Sequence, residues 1–125
     1  MRDKARTEFE NCRLVLTDIN EEIRTEIVYN ARKDCGNVQA LSNFKTLWDC
    51  LCSASPLFRN VLKSDDKAEG KVDAPENLTA AIKEGDRVFR QEYRHKEART
   101  GVVEMQRSVS RLLVILDTVQ GVLKD

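Results

Sequence analysis

The C-terminal stretch, residues 102–125, places the tightest limit on what this chain can fold into. It reads VVEMQRSVSRLLVILDTVQGVLKD. Apolar residues recur every three or four positions, at Val102, Met105, Val109, Leu112, Leu116, Val119 and Leu123. This spacing is typical of one face of an α-helix, and residues 113–115 widen the apolar stripe in its middle. Such a helix must be covered on more than one side, either by the rest of the chain or by a second copy.

The preceding segments predict further helices of the same kind. Residues 3–33 carry apolar side chains with a period near 3.6 and mixed charges between them, which predicts one long helix. Residues 37–53 follow after a short connection and predict a second, antiparallel helix, which contains the only tryptophan, Trp48. Because proline suits the first turn of a helix, residues 56–63 are predicted to form a short helix that covers one end of the core.

The second half of the chain leaves two alternatives. Residues 64–74, SDDKAEGKVDA, predict a polar loop, after which Pro75 starts a helix in its first turn. Residues 90–100, RQEYRHKEART, are polar on nearly all sides. Either a turn at Thr100–Gly101 separates two helices, or one helix continues as far as Leu123. The turn is slightly favoured, although a lone glycine costs only about 1 kcal/mol inside a helix and need not end it.

Composition favours an all-α domain. The 125 residues include only 5 Gly and 2 Pro, too few turn residues for an all-β fold. We predict a single domain, 1–125, folded as an antiparallel bundle of about four long helices plus one short helix. The helical hairpin occupies residues 3–63, and the C-terminal helices occupy residues 75–123. The bundle is completed either within the chain or by dimerisation.

The sequence also predicts an intracellular, cytoplasmic protein. Its longest apolar run, residues 112–116, is too short to span a bilayer, and its charged N-terminus does not resemble a secretory signal. Reduced cysteines are therefore expected, and Cys12, Cys35, Cys50 and Cys52 are interpreted as small buried apolar residues. Cys50 and Cys52 would point about 200° apart on a helix, so they could not bind one metal together.

No enzymatic chemistry is predicted. The single histidine, His95, lies in the most polar segment, where a desolvated general base is not expected. The chain lacks a glycine-rich phosphate loop, an HExxH motif and a GxSxG motif. We therefore predict no catalytic residue, no cofactor, no metal site and no small-molecule substrate.

The first functional hypothesis is an interaction or assembly module that works by helix–helix association with itself or with another protein. Its interface candidates are the seven stripe residues given above, Val102 to Leu123, whose near-heptad spacing is typical of a coiled coil. The alternative use of the same stripe is as the core of the chain's own bundle.

The second hypothesis is RNA or DNA binding by an arginine-rich face. Residues 87–111 contain seven Lys or Arg and three Glu, hence a local formal charge of +4 in a chain whose 21 basic and 21 acidic residues balance. Arginine binds phosphate with two parallel hydrogen bonds, and a tyrosine can stack on a base. The candidate residues are Arg87, Arg90, Tyr93, Arg94, Arg99 and Arg107. The alternative is a solvated helix face stabilised by local ion pairs.

Overall fold

The described part of the chain consists almost entirely of helices. A computed structural model describes residues 2–33, 38–63, 75–94 and 97–123, of which 93% are helical and none belongs to a strand. The helices in this part of the chain are α1 (Arg2–Lys33), α2 (Val38–Ala54), α3 (Pro56–Lys63), α4 (Glu76–Arg90) and α5 (Ala98–Leu123). The predicted all-α fold is confirmed. The predicted loop 64–74 and the connection between α1 and α2 lie outside the described residues.

The four long helices form a bundle in the cyclic order α1, α2, α4, α5. α5 packs against α1 and α4, α2 packs against the same two helices, and α3 lies against α2 and α4. α1 and α5 are antiparallel, because Arg13 pairs with Asp117 at 2.7 Å while Gln120 donates a hydrogen bond of 2.8 Å to Glu10. By the helical rise per residue, these two helices are about 48 Å and about 39 Å long.

The apolar stripe of α5 faces inward. Its residues from Val102 to Leu116 are at most 3% exposed, and Leu112 and Leu116 are fully buried. Val119 is partly buried, and the side chain of Leu123 lies outside the described residues. α1 contributes a matching row, consisting of Phe9, Cys12, Leu16, Ile19 and Ile23. Each such large side chain stabilises the fold by about 1.5–3 kcal/mol on burial.

Trp48 joins α2, α3 and α4. Its ring stacks on Phe89 with centroids 4.5 Å apart and meets the edge of Phe58 at 5.6 Å. Its indole N–H donates a 2.9 Å hydrogen bond to Asp86. A Cβ at Gly85 would lie only 2.9 Å from the tryptophan ring, so the missing side chain lets α4 approach α2 closely.

A polar contact holds α3 to α1. Ser55 precedes α3, and its hydroxyl accepts a 3.3 Å hydrogen bond from the N–H of Phe58, as an N-cap does. The same hydroxyl donates to the carboxylate of Glu8, which also accepts the N–H of Leu57 at 3.2 Å. Glu8 therefore supplies a negative charge at the N-terminus of α3, where the helix dipole favours it.

The break between α4 and α5 differs from both predicted alternatives. α4 begins at Glu76, one residue later than predicted, and ends at Arg90. Gln91 is extended, and its N–H bonds the carbonyl oxygens of Arg87 and Val88 at 3.1 and 3.3 Å. The chain therefore reverses between Gln91 and Glu97, and the predicted turn at Thr100–Gly101 is wrong.

Gly101 lies buried inside α5 for a packing reason. A Cβ there would meet the ring of Tyr93 at 2.7 Å. The Tyr93 hydroxyl lies 2.8 Å from a carboxylate oxygen of Glu104 and 3.3 Å from the carbonyl oxygen of Val88. Tyr93 thus folds back over α5 and fixes the reversal, and the glycine provides room for its ring.

This packing predicts opposite effects for two glycine substitutions in the same helix. Gly101→Ala should lower the free energy of unfolding by about 1–3 kcal/mol, because the new methyl group overlaps the Tyr93 ring. Gly121→Ala should raise it by about 0.4–1 kcal/mol, because Gly121 is exposed, a Cβ there would meet no neighbouring side chain within 4 Å, and alanine is the better helix former. Urea denaturation followed by circular dichroism measures both changes.

The control is the same glycine substitution without the tyrosine ring. In a Tyr93→Ala background, most of the cost of Gly101→Ala should disappear. Two glycine variants that change stability in the same direction would contradict the proposed contact.

Candidate functional site

A groove between α4 and α5 brings three arginine side chains together. This basic groove is lined by Arg87 and Glu84 of α4 and by Glu104, Arg107, Ser108 and Arg111 of α5. Its volume is about 240 Å³. Arg107 and Arg111 are one turn apart on the same face of α5, so their side chains lie side by side.

The charges within the basic groove are partly compensated. Arg87 makes two hydrogen bonds to Glu84, one of them 3.1 Å long from its Nε. The hydrogen bond from Arg87, together with the nearby charge of Arg111, lowers the pKa of Glu84. Within the described part of the chain, Arg107 and Arg111 make no salt bridge. The groove therefore keeps an excess of guanidinium groups that can bind carboxylates or other anions.

A second groove, between α1 and α2, has the opposite charge. This acidic groove is lined by Glu21, Glu22, Thr25 and Glu26 of α1 and by Asn43 and Phe44 of α2, and its volume is about 320 Å³. None of its lining residues is basic. Arg24 reaches Glu21 at 3.4 Å, but both side chains are exposed and such a pair is weak.

The two grooves open on opposite sides of the bundle. The acidic groove lies between the neighbours α1 and α2, whereas the basic groove lies between the neighbours α4 and α5. No helix contributes to both grooves. Two partner molecules could therefore bind at the same time, one in each groove.

The predicted arginine face is not one surface. Arg87 and Arg107 share the basic groove, but Arg90 turns to α2, where it pairs with Asp49. Arg90 also lies 3.3 Å from Asp86 of its own helix. Arg94, another candidate of the arginine-rich face, lies beyond the end of α4 at Arg90, so it does not share a helix face with Arg87 and Arg90.

Two further candidates of the nucleic-acid hypothesis also lie apart from the basic groove. Arg99 is exposed in the first turn of α5. Tyr93 is half-buried, with its ring against Gly101 and the Nζ of Lys45 5.9 Å from the ring centroid. Burial and the hydrogen bond to Glu104 raise the pKa of Tyr93. The ring is thus used inside the fold, where it fixes the α4–α5 reversal.

The interface candidates of the first hypothesis lie mostly in the core. The five residues from Val102 to Leu116 are covered by the chain itself, so they are not on its folded surface. The large apolar side chains that the described surface does present are Leu14, Val15 and Val114, with exposed fractions of 57%, 38% and 65%. The sequence pattern did not single out this surface set or the acidic groove, and Arg111 was counted in the basic segment 87–111 without being named as a candidate.

The cysteines divide into two kinds. Cys12 and Cys52 are buried as predicted, and burial raises the pKa of each thiol to about 12. Cys50 is exposed, contrary to the prediction, because it lies two positions before Cys52 and points away from the core. Cys35 lies outside the described residues, as does His95.

Two other features bear on the kind of site. Among the described residues, no three His, Cys, Asp or Glu side chains are placed to hold a metal ion. None of the described helices is long and apolar enough to cross a bilayer.

No protein-family model, curated protein or solved structure matches this chain. Its function is therefore inferred from its own side chains.

The cysteine environments predict a clear difference in reactivity. In a Cys35→Ser variant, one thiol, that of Cys50, should react quickly with a disulfide reagent at pH 8. Cys12 and Cys52 should react at least about a hundredfold more slowly, because a pKa of about 12 leaves on the order of one thiol in ten thousand ionised and burial blocks access.

A further Cys50→Ser change provides the control, and it should remove the fast phase while all remaining thiols react after denaturation. Fast reaction of all three thiols in the folded protein would show that the packing of α1 and α2 described above is incorrect.

Proposed function

We propose that this chain is a non-enzymatic helical interaction module, located in the cytoplasm, which associates with itself or with another protein. The observation that supports this proposal best is the pair of oppositely charged grooves on opposite sides of one helical bundle. Charge complementarity of this kind speeds encounter, fixes the orientation of partners and disfavours wrong ones.

The packing of the bundle supports the same proposal. Both grooves are built on long helices whose inner faces are buried, so their side chains project from well-ordered backbone. A pre-organised surface loses little conformational entropy when it binds a partner. The proposed association uses this outer surface, because the α5 stripe is already covered by the chain.

Nucleic-acid binding is the second candidate function. Arg107 and Arg111 favour it, since neighbouring guanidinium groups suit phosphate. Glu84 and Glu104 line the same groove and would repel phosphate, and Arg87 is already held by Glu84. A protein partner fits this mixed lining better, because it can offer carboxylates to the arginines and can donate N–H or O–H hydrogen bonds to the two glutamates.

Affinity capture from a native lysate tests the proposal directly, with one half of the lysate treated with nuclease. We expect the tagged chain to retain a protein, or untagged copies of itself, equally in both halves. Replacing Arg107 and Arg111 with Gln, or Glu22 and Glu26 with Gln, should reduce retention by about tenfold.

The matched control is Arg59→Gln with Lys63→Gln, which removes the same two positive charges from the exposed face of α3. It should leave retention unchanged. Retention only in the untreated half would support nucleic-acid binding instead, and no specific retention in either half would contradict both candidates.

A further inference from the structure

The two grooves are complementary in charge and lie on opposite sides of the same bundle. The acidic groove carries three carboxylates and no basic residue, while the basic groove carries three guanidinium groups and two carboxylates. The chain as a whole has a formal charge of zero, so two copies do not repel each other at long range. Oppositely charged surfaces on one molecule can therefore meet when two copies approach.

The spacing of the charges also matches. Glu22 and Glu26 are four residues apart on α1, and Arg107 and Arg111 are four residues apart on α5. Residues with this separation lie on the same helix face, with Cβ atoms about 5–6 Å apart. Two carboxylates of one copy can therefore reach two guanidinium groups of another copy at the same time.

Each groove also has an exposed aliphatic neighbour. Val114 lies three residues beyond Arg111, on the same side of α5, and is 65% exposed. Val15 lies seven residues before Glu22, on the same side of α1, and is 38% exposed. An apolar contact can thus accompany the ion pairs, which alone are weak at an exposed surface.

We propose that the basic groove of one copy binds the acidic groove of a second copy, an inference that rests on the proposed function. Because the two grooves are different surfaces on opposite sides of the bundle, the contact is head-to-tail. It leaves one groove of each terminal copy unoccupied, so further copies add to both ends and the assembly grows as an open chain. Ion pairs dominate the contact, so salt weakens it.

Sedimentation velocity of the purified full chain tests this inference. At about 20 mM salt the chain should form species larger than two copies as its concentration rises, and at about 500 mM salt it should return to single copies. Arg107→Gln with Arg111→Gln should weaken association by about tenfold, as should Glu22→Gln with Glu26→Gln. Arg59→Gln with Lys63→Gln should associate like the unchanged chain.

An equal mixture of the two neutralised variants gives the sharpest test. Each variant keeps one intact groove, so the mixture should form pairs with one copy of each variant and nothing larger. Circular dichroism of every variant checks that the helices are retained.

Several results would overturn the inference. In the first, the chain stays single at low salt and high concentration. In the second, association stops at closed pairs. In the third, the neutralised variants associate as strongly as the unchanged chain. If the chain stays single but still retains another protein through the same grooves in nuclease-treated lysate, self-association is wrong and the proposed function stands.

Discussion

The apolar stripe of α5 has to be shielded from water along its length, and the positions of the other helices follow from this requirement. α1 covers one side of the stripe with its own row of apolar side chains, and α4 covers another. Trp48 and Phe58 of α2 and α3 are fully buried and complete the core. Helices of this length gain most of their stability from such burial rather than from intrinsic propensity. The reversal at Tyr93 matters because it brings α4 and α5 into antiparallel contact.

The charged surface is a consequence of the same packing. Once each long helix turns its apolar face inward, its charged residues remain outside, and neighbouring helices form grooves lined by those residues. Lining residues from α4 and α5 produce a groove rich in arginine, and those from α1 and α2 produce a groove rich in glutamate. Basic and acidic residues therefore balance in number along the sequence, but the fold places an arginine-rich groove and a glutamate-rich groove on opposite sides of the bundle. This separation, rather than the buried stripe, is the physical basis of the proposed association.

Helical periodicity and proline positions were enough to predict the fold class and most helix bounds, including the short helix Pro56–Lys63. The α4–α5 reversal could not be predicted, because Tyr93 and Gly101 are eight positions apart and meet only after the chain has turned. Neither groove could be predicted, because Glu22 and Phe44, or Arg87 and Arg111, come from different helices. The four-residue spacing of Arg107 and Arg111 was enough to predict that their side chains lie on the same face of one helix. Their separation from Arg90, which pairs with Asp49, depends on tertiary packing.

One chain alone covers the α5 stripe. Amide hydrogen exchange over a dilution series at high salt tests it, with the mass of the particle measured at each concentration. We expect the amides of residues 109–116 to remain protected, and helicity to stay constant, when every particle is a single chain. Loss of protection and helicity as larger species dissociate would contradict it, because the stripe would then need a second copy to be covered.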